Sequence, residues 1–191
     1  MILGLTGTFA AGKGAVAEYL IGRGFQYYSL SDELRLLLRE KGAMPTRENL
    51  ITAGNRLREK HGNGFLATLV IKRLRGGPSV TNSIVDSIRN LGEIAVLKGL
   101  KGFCMVAVDA PVDIRYERAR KRASARDPSS FSEFLVQQKR EMVGKNNEQQ
   151  LAACMAAADF TIVNDGDYKK LYKQIEKVLG EAKAKIAPQA K

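Results

Sequence analysis

The chain has 191 residues, of which 45% are hydrophobic and 27% charged, and its formal net charge is +11 at pH 7. This size and composition are typical of one soluble globular domain with a substantial core. No apolar run approaches the roughly 20 residues that span a bilayer, and no basic and then apolar leader opens the sequence. We therefore expect a cytoplasmic protein without a membrane partner.

The cysteine and histidine content excludes several kinds of site. Cys104 and Cys154 lie in apolar or alanine-rich stretches, which favours buried free thiols over a disulfide or a metal site. A single histidine, His61, cannot build a zinc site or a histidine-based catalytic triad. The positive charge instead indicates a polyanionic partner, either a phosphorylated small molecule or nucleic acid.

Short apolar stretches alternate with longer helical ones along the chain. The predicted strands are, in order, "MILGLTG", "FQYYSL", "SVTNSIVDS", "GFCMVAVDAP" and "DFTIVNDG". The predicted helices are "GAVAEYLIGRG", "SDELRLLLREKG" with Ser31 as N-cap, a pair broken around "HGNG", a basic helix around "IRYERARKR", "SEFLVQQKREM" and "DYKKLYKQIEKVL". This alternation predicts an α/β fold, with a five-stranded parallel sheet covered on both faces and its site at the carboxyl ends of the strands.

The first predicted strand runs into a glycine-spaced loop, "GLTGTFAAGKG", that opens the first helix. Gly7, Gly12 and Lys13 fit the pattern G-x-x-x-x-G-K in the strand–loop–helix context of a phosphate-binding loop. Small residues let backbone N–H groups surround phosphate oxygens, and the helix N-terminus adds positive potential. We therefore predict that the loop binds a nucleotide, with Lys13 at its outer phosphates. An ordinary strand-to-helix turn is the alternative.

The loop departs from the usual motif, which continues with a Ser or Thr that binds Mg²⁺. Gly14 follows Lys13, and the resulting "GKG" resembles the nucleoside monophosphate kinases, which carry Gly-Lys-Gly-Thr. Ala15 stands where that family has threonine, and Ala10 where glycine is frequent. We expect weaker nucleotide binding with an intact backbone cradle, and Mg²⁺ held mainly by phosphates and water. The ATP-binding loop residues are thus Gly7, Ala10, Ala11, Gly12, Lys13, Gly14 and Ala15.

Two further segments resemble adenylate kinases. "SLSDELR" is similar to a segment in which the aspartate lies near the reaction centre and the arginine binds the acceptor's phosphate; this implies such roles for Asp32 and Arg35. "IVDSIRN" resembles a strand end followed by another acceptor-phosphate arginine. The resemblance implies that Asp86 orients Mg²⁺ through water and that Arg89 faces the acceptor.

The second half of the chain carries the remaining motifs of the family. "ERARKR" resembles the start of the kinase lid and implies that Arg118 contacts the nucleotide and Arg122 the transferring phosphoryl group. Their spacing of four places both on one helix face. Arg140, after a short lid at "ARDPSS", matches the returning lid arginine. "IVNDGD" resembles the loop that binds adenine, which implicates Asn164 and Gly166.

These motifs follow the order found in the P-loop nucleoside monophosphate kinase superfamily. The sequence as a whole resembles the adenylate-kinase-like and dephospho-CoA-kinase-like branch of this superfamily, which includes the kinase-like segment of some deoxycytidylate deaminases. The deaminase signatures H-x-E and P-C-x-x-C are absent from the sequence. The resemblance implies a three-layer P-loop kinase fold with a short lid. It places a kinase domain at 1–181, acceptor-binding helices at about 31–75, the lid at about 119–140 and a basic tail at 182–191.

The function expected from the sequence is phosphoryl transfer from ATP, with Mg²⁺, to a small nucleotide-like acceptor such as a (deoxy)nucleoside monophosphate. The resemblance assigns the catalytic roles to Lys13, Asp32, Arg122 and Arg140. One alternative is a dephospho-CoA kinase with Asp32 as general base. Another is a non-catalytic nucleotide- or RNA-binding protein, favoured by the net charge of +11 and by the departures at Ala10 and Ala15. The motifs leave the acceptor's identity and the oligomeric state open.

Overall fold

The computed structural model describes residues 1–77, 82–122, 128 and 130–187. Within these ranges one sheet forms from five strands, in which every pairing is parallel and the order is β2-β3-β1-β4-β5. The predicted five-stranded parallel sheet is therefore confirmed. The strands are Ile2–Gly7 (β1), Gln26–Ser29 (β2), Ser83–Asp86 (β3), Phe103–Asp109 (β4) and Phe160–Val163 (β5).

The helices of the described residues connect these strands. They are Lys13–Gly22 (α1), Leu30–Glu40 (α2), Arg47–His61 (α3), Phe65–Gly76 (α4), Leu91–Leu97 (α5), Val112–Arg122 (α6), Phe131–Met142 (α7), Leu151–Ala156 (α8) and Tyr168–Ile186 (α9). The short helices α5 and α8 were not predicted, because neither is long enough to show a helical period. A capping box between Asn90 and Glu93 nevertheless marks the start of α5.

The strands bury side chains on both faces of the sheet, as expected for a parallel sheet between two helical layers. Along β4, Cys104 and Val106 join the cluster under α1 and α9, whereas Met105 joins the cluster under α2, α4, α5 and α8. This alternation follows the two-residue period of a strand. Both cysteines are buried and free, as predicted.

The order of the strands positions the site. The central strand β1 lies between β3 and β4, and the chain leaves β1 toward β2 on one side of the sheet but leaves the adjacent β4 toward β5 on the other. A crevice opens at such a switch point, outside the carboxyl ends of the strands. Gly7, Asp86 and Asp109 end the three strands there.

Two element boundaries differ from the sequence-based expectation. Helix α2 begins at Leu30 with Ser29 as N-cap, so the prediction of Ser31 was wrong; β2 leads into the helix without an intervening loop. Helix α9 continues to Ile186, into the segment expected as a tail from residue 182, because Ala182 is buried and Ile186 packs against the core.

The expected lid lies only partly within the described residues. Helix α6 ends at Arg122 and α7 begins at Phe131, while residues 123–127 and 129, which include most of "ARDPSS", lie outside them. Among the described residues, no helix combines the length and the hydropathy that crossing a membrane requires.

Candidate phosphate-binding site

A cavity of about 460 Å³ opens at the carboxyl edge of the sheet, between the loop after β1 and the helices α2 and α3. It brings together residues that the sequence places far apart. The predicted site residues that line it are Ala10, Gly12, Lys13, Gly14, Ala15, Arg35, Asp86, Arg89, Arg118 and Arg122.

The backbone of the loop after β1 explains its glycines. Gly7 has φ +136°, and a Cβ there would lie 1.9 Å from the carbonyl oxygen of Val108. Gly12 has φ +98°, and a Cβ there would lie 2.1 Å from Nδ2 of Asn164. Ala10, by contrast, adopts φ +62° with a side chain, a left-handed conformation that costs about 1 kcal/mol for a residue with a Cβ. The methyl group at Ala10 therefore strains the loop that it belongs to.

Lys13 begins α1 and folds back over the loop. Its Nζ donates hydrogen bonds to the carbonyl oxygens of Gly7 at 2.8 Å and Thr8 at 2.9 Å. Burial and the positive charge of Arg89 lower the pKa of Lys13 from 10.5 to about 8. An anion bound in the cavity would favour the protonated ammonium group and reverse this shift.

Two contacts from the β4 side hold the first half of the loop. The Thr8 hydroxyl donates to the carboxylate of Asp109 at 2.5 Å. The buried Arg115 donates to the carbonyl oxygen of Phe9 at 3.4 Å and to that of Ala110 at 2.8 Å. Neither contact depends on a ligand, so the loop's conformation is set in advance.

A second pair of contacts holds the other half of the loop. Asn164 donates from Nδ2 to the carbonyl oxygen of Ala11 at 2.9 Å, and Arg118 donates to the carbonyl oxygen of Asn164 at 2.9 Å. Asn164 thus braces the phosphate-binding loop from behind. Arg118 both braces it and lines the cavity.

Asp86 lies beside the loop, and one of its two carboxylate oxygens accepts no hydrogen bond from the described residues. Its Oδ2 accepts from the Tyr27 hydroxyl at 2.8 Å, whereas its buried Oδ1 has no hydrogen-bond partner among the described residues. Burial and the Asp86 charge raise the pKa of Tyr27, which keeps that hydroxyl protonated. A buried carboxylate oxygen without a donor fits a Mg²⁺-bound water.

The donor set of the chain limits how Mg²⁺ would be held. Within the part of the chain that the structure describes, no group of three or more His, Cys, Asp or Glu side chains is arranged to bind a metal ion. Asp86 would therefore act through water, and the nucleotide's phosphates would supply most of the direct ligands. This arrangement fits the way Mg²⁺ usually enters phosphoryl-transfer sites.

One end of the cavity is built around a buried carboxylate. Glu141 of α7 is 3% exposed and pairs with Arg47 at 2.5 Å and with Arg89 at 3.4 Å. Arg89 also donates to the side-chain oxygen of Gln149 at 2.9 Å. Two guanidinium groups from different elements are therefore held at one end of the cavity.

A second buried ion pair stabilises the turn that carries Arg89. Arg58 of α3 contacts Glu93 of α5 at 2.9 Å, and the backbone N–H of Arg89 donates to Glu93 at 2.8 Å. Burial raises the pKa of the Glu93 carboxyl, and the charge of Arg58 opposes that rise. The pair fixes the turn that presents Arg89 to the cavity.

The part of the cavity lined by α2, α3 and α4 combines apolar side chains with Ser31, Arg35 and Arg58. We call the apolar side chains of this lining the apolar slot, and Gly54 of α3 lies among them without a side chain. The apolar lining residues are Leu30, Leu34, Leu50, Ile51 and Leu66.

The structure does not bring every predicted site residue into the cavity. Asp32 is exposed and pairs with Arg35 at 2.5 Å, so only Arg35 lines the cavity. Arg140 is exposed on α7, and the adjacent Glu141 faces the cavity instead. One residue along a helix turns the side chain by about 100°. Gly7, Ala11, Asn164 and Gly166 belong to the loop and its surroundings without lining the cavity.

Several lining residues were missed by the sequence analysis. Phe9 occupies a variable position of the loop motif, and Arg47 begins a helix with no motif around it. Glu141 lies next to the arginine that the resemblance singled out. Gln149 carries no sequence signal beyond its polar atoms, and neither does Tyr27, which contacts Asp86 without lining the cavity.

No protein-family model matches the chain. The sequence is 30% identical over 183 residues to a UPF0200 protein of Pyrococcus abyssi, covering 94% of this chain and 95% of that protein. It is also 30% identical over 182 residues to a UPF0200 protein of Pyrobaculum aerophilum, covering 94% and 97%.

Solved structures share the fold at lower identity. A shikimate kinase from Bacteroides thetaiotaomicron superposes with a TM-score of 0.57 at 12% identity, covering 96% of this chain and 98% of that one. A shikimate kinase from Aquifex aeolicus gives 0.54 at 14%, covering 99% and 100%. A gluconokinase from Sinorhizobium meliloti gives 0.52 at 13%, covering 96% and 92%. The chain thus has the fold of P-loop kinases, as the sequence motifs indicated.

Proposed function

The chain belongs to the UPF0200 family, and we propose that it is an ATP-dependent kinase acting on a small nucleotide-like acceptor, with a (deoxy)nucleoside monophosphate as the leading candidate. One observation carries the proposal. A phosphate-binding loop with Lys13, an Asp86 oxygen without a hydrogen-bond partner among the described residues, and arginines from α2, α3 and α6 and from the turn after β3 all line the same cavity. Phosphoryl transfer requires such positioning and charge stabilisation, and little covalent chemistry from the protein.

The loop and Lys13 form the ATP end of the proposed site. Loop N–H groups and the N-terminus of α1 would bind the phosphates, with Lys13 turning from the carbonyl oxygens of Gly7 and Thr8 to the outer phosphates. Asp86 would orient water around Mg²⁺, and the ion would supply positive charge that neutralises charge developing on the phosphates.

Arg47, Arg89 and Arg122 form the transfer region of the proposed site. Each lines the cavity from a different segment, so their charges converge only in the folded protein. Guanidinium groups bind phosphate oxygens in a planar, bidentate geometry. We assign Arg122 to the transferring phosphoryl group, and Arg47 and Arg89 to the phosphate of the acceptor.

The apolar slot favours a nucleotide acceptor over a sugar acid. A polyhydroxylated acceptor would lose hydrogen bonds to water against Leu34, Leu50 and Ile51 without replacing them, which costs free energy for each hydroxyl group. A flat nucleobase loses far less there, while its phosphate reaches the arginines. Asp32 is exposed and pairs with Arg35 instead of lining the cavity, which supports a nucleoside monophosphate over the dephospho-CoA alternative with Asp32 as general base.

The proposal is tested by measuring ADP formation from Mg-ATP with a panel of ribo- and deoxynucleoside monophosphates, dephospho-CoA, shikimate and gluconate. We expect turnover that depends on a nucleoside monophosphate, is lost in Lys13→Ala and is retained in Lys121→Ala, an exposed charge on α6. Turnover with shikimate or gluconate alone would overturn the acceptor assignment. No turnover with any acceptor, from protein that still binds ATP, would favour the non-catalytic alternative.

A further inference from the structure

A second depression, of about 530 Å³, lies on the surface formed by α1 and α9, apart from the phosphate cavity. The residues that line it are Tyr19, Lys169, Tyr172, Lys173 and Glu176. We give the name tyrosine patch to Tyr19 of α1 and Lys169, Tyr172 and Lys173 of α9, together with Tyr168, whose ring lies next to that of Tyr172.

The tyrosine rings of the patch form a continuous row. Tyr19 and Tyr172 stack with centroids 4.3 Å apart and an interplanar angle of 30°, and Tyr168 follows with its centroid 5.8 Å from that of Tyr172. Tyr168 is 65% exposed. Residues four apart share a helix face, so α9 presents Tyr168 and Tyr172 side by side. The row therefore ends in an open ring face.

The two lysines of the patch differ from other lysines of the same helix. Lys170, Lys177 and Lys185 pair with Asp165, Glu181 and Asp159 respectively. Lys169 and Lys173 form no ion pair with any residue that the structure describes, and both are exposed. They also lie four apart, about 6 Å along the helix. The patch therefore carries two positive charges without a carboxylate to balance them.

The single carboxylate that lines the depression is engaged by its neighbours. Glu176 accepts from the Tyr19 hydroxyl at 2.6 Å and from Nε of Arg23 at 3.0 Å. These contacts lower the pKa of the Glu176 carboxyl and raise that of the Tyr19 hydroxyl. Arg23 thereby neutralises the charge of Glu176. An external anion could then neutralise the charges of Lys169 and Lys173.

Aromatic faces beside exposed cations are the recognition elements for single-stranded nucleic acid, in which bases stack and phosphates meet Lys or Arg. We propose that the tyrosine patch binds single-stranded nucleic acid, with a base stacking on Tyr168 and backbone phosphates contacting Lys169 and Lys173. Single-stranded nucleic acid would be a polyanionic partner, separate from ATP, for a protein whose net charge is +11. Stacked rings that end in the exposed Tyr168 fit a base better than an acidic peptide or a lipid headgroup.

The first test compares two charge-reversal variants of α9 by the fluorescence anisotropy of labelled RNA and DNA oligonucleotides of about 12 nucleotides. Lys169→Glu with Lys173→Glu changes the patch, and Lys177→Glu with Lys183→Glu changes the net charge equally elsewhere on the helix. We expect the patch variant to lose at least about tenfold in affinity and the control less than about threefold. Equal losses would mean nonspecific attraction and would overturn the proposal. The RNA and DNA arms identify which nucleic acid is preferred.

The second test separates stacking from charge. Tyr168→Ala should weaken binding between about fivefold and a hundredfold, as expected for one stacked base, whereas Tyr168→Phe should keep the wild-type affinity. Because Tyr168 is exposed, thermal melts of both variants should match the wild type. The logarithm of affinity should fall with the logarithm of salt with a slope of about −1.4 for two phosphate contacts. An unchanged affinity in Tyr168→Ala would overturn the proposal.

The final comparison separates the patch from the proposed kinase site. Lys13→Ala should leave oligonucleotide affinity unchanged, and the patch variants should leave acceptor-dependent ADP formation unchanged. Loss of oligonucleotide binding in Lys13→Ala would place the oligonucleotide in the phosphate cavity and overturn the proposal. Binding to anionic lipid vesicles or poly-glutamate without binding to oligonucleotides would also overturn it. A protein without kinase activity that still binds oligonucleotides through the patch would reject only the proposed function.

Discussion

The guanidinium carbon of Arg47 lies 3.9 Å from the centroid of the Phe9 ring. A side chain of helix α3 thus rests on the phosphate-binding loop, where the guanidinium of Arg122 also approaches the same ring at 5.1 Å. An aromatic face attracts a cation without supplying a negative charge. Phe9 can therefore position two arginines beside the loop without itself neutralising their charge.

Replacing Phe9 tests this positioning role. Phe9→Leu keeps an apolar side chain but removes the ring, and a cation–π contact contributes about 0.5–2 kcal/mol. We expect kcat to fall between about twofold and thirtyfold with the ATP dissociation constant within about threefold of wild type, because the backbone cradle remains. Phe9→Tyr should restore kcat. If Leu and Tyr variants have the wild-type kcat, the ring does not position the arginines.

The lowered pKa of Lys13 predicts proton uptake on ATP binding. With a pKa of about 8, Lys13 is about half protonated at pH 8 in the free protein. Bound phosphates favour the charged form, so we expect uptake of about half a proton at pH 8, nearly none at pH 6, and weaker ATP binding as pH rises above 8. Isothermal titration calorimetry in Tris and Hepes, whose ionisation enthalpies differ, measures this uptake.

Lys13→Arg is the control for that measurement, since arginine stays protonated at both pH values. The variant should bind ATP without a buffer-dependent enthalpy at pH 8. Equal proton uptake by variant and wild type would assign the titration to another group.

The left-handed backbone at Ala10 predicts that glycine is better tolerated there. Ala10→Gly removes the Cβ from a residue with φ +62°, and we expect the free energy of unfolding to rise by about 0.5–1 kcal/mol. Ala184→Gly, at an exposed position inside α9, should lower it by about 1 kcal/mol. Urea denaturation measures both, and a loss of stability in Ala10→Gly would contradict the strain.

Glu141 is expected to act as an internal counter-ion for the arginines that we assign to the acceptor. Glu141→Gln removes the negative charge between Arg47 and Arg89, which should lower the free energy of unfolding by about 1–3 kcal/mol. It should also strengthen binding of inorganic phosphate, because two guanidinium groups lose their partner. We therefore expect phosphate to raise the melting temperature more in this variant than in the wild type.

Glu33→Gln is the matched control, since Glu33 is also buried and pairs with Arg73, and neither of these residues lines the cavity. It should lose stability without a larger response to phosphate. An equal response in the two variants would mean that phosphate stabilises the fold nonspecifically rather than through the two cavity arginines.

Much of the fold and half of the site were predictable because their signals are local. The phosphate-binding loop was evident from the spacing of Gly7, Gly12 and Lys13 after an apolar strand, and Asp86 from its place at a strand end. The parallel sheet followed from alternating strands and helices. In such a sheet the carboxyl ends of adjacent strands meet at one edge, so a local pattern was enough to bring the loop and Asp86 together.

The acceptor end could not be predicted in the same way. Arg47 and Glu141 are 94 residues apart in sequence, and Arg58 pairs with a residue 35 positions away. No spacing rule connects such residues, because their contact depends on how α3, α5 and α7 pack around the cavity.

The sequence by itself determined the groups at the loop end of the cavity: a backbone cradle, one lysine and a strand-end carboxylate. Only the tertiary structure decided which charges balance one another. Arg140 and Glu141 are neighbours in sequence, yet one is exposed and the other buried in the cavity, because each step along a helix turns the side chain by about 100°. The packing of the helices determines that Glu141 lies in the cavity, and therefore that Arg47 and Arg89 are the arginines it pairs with there.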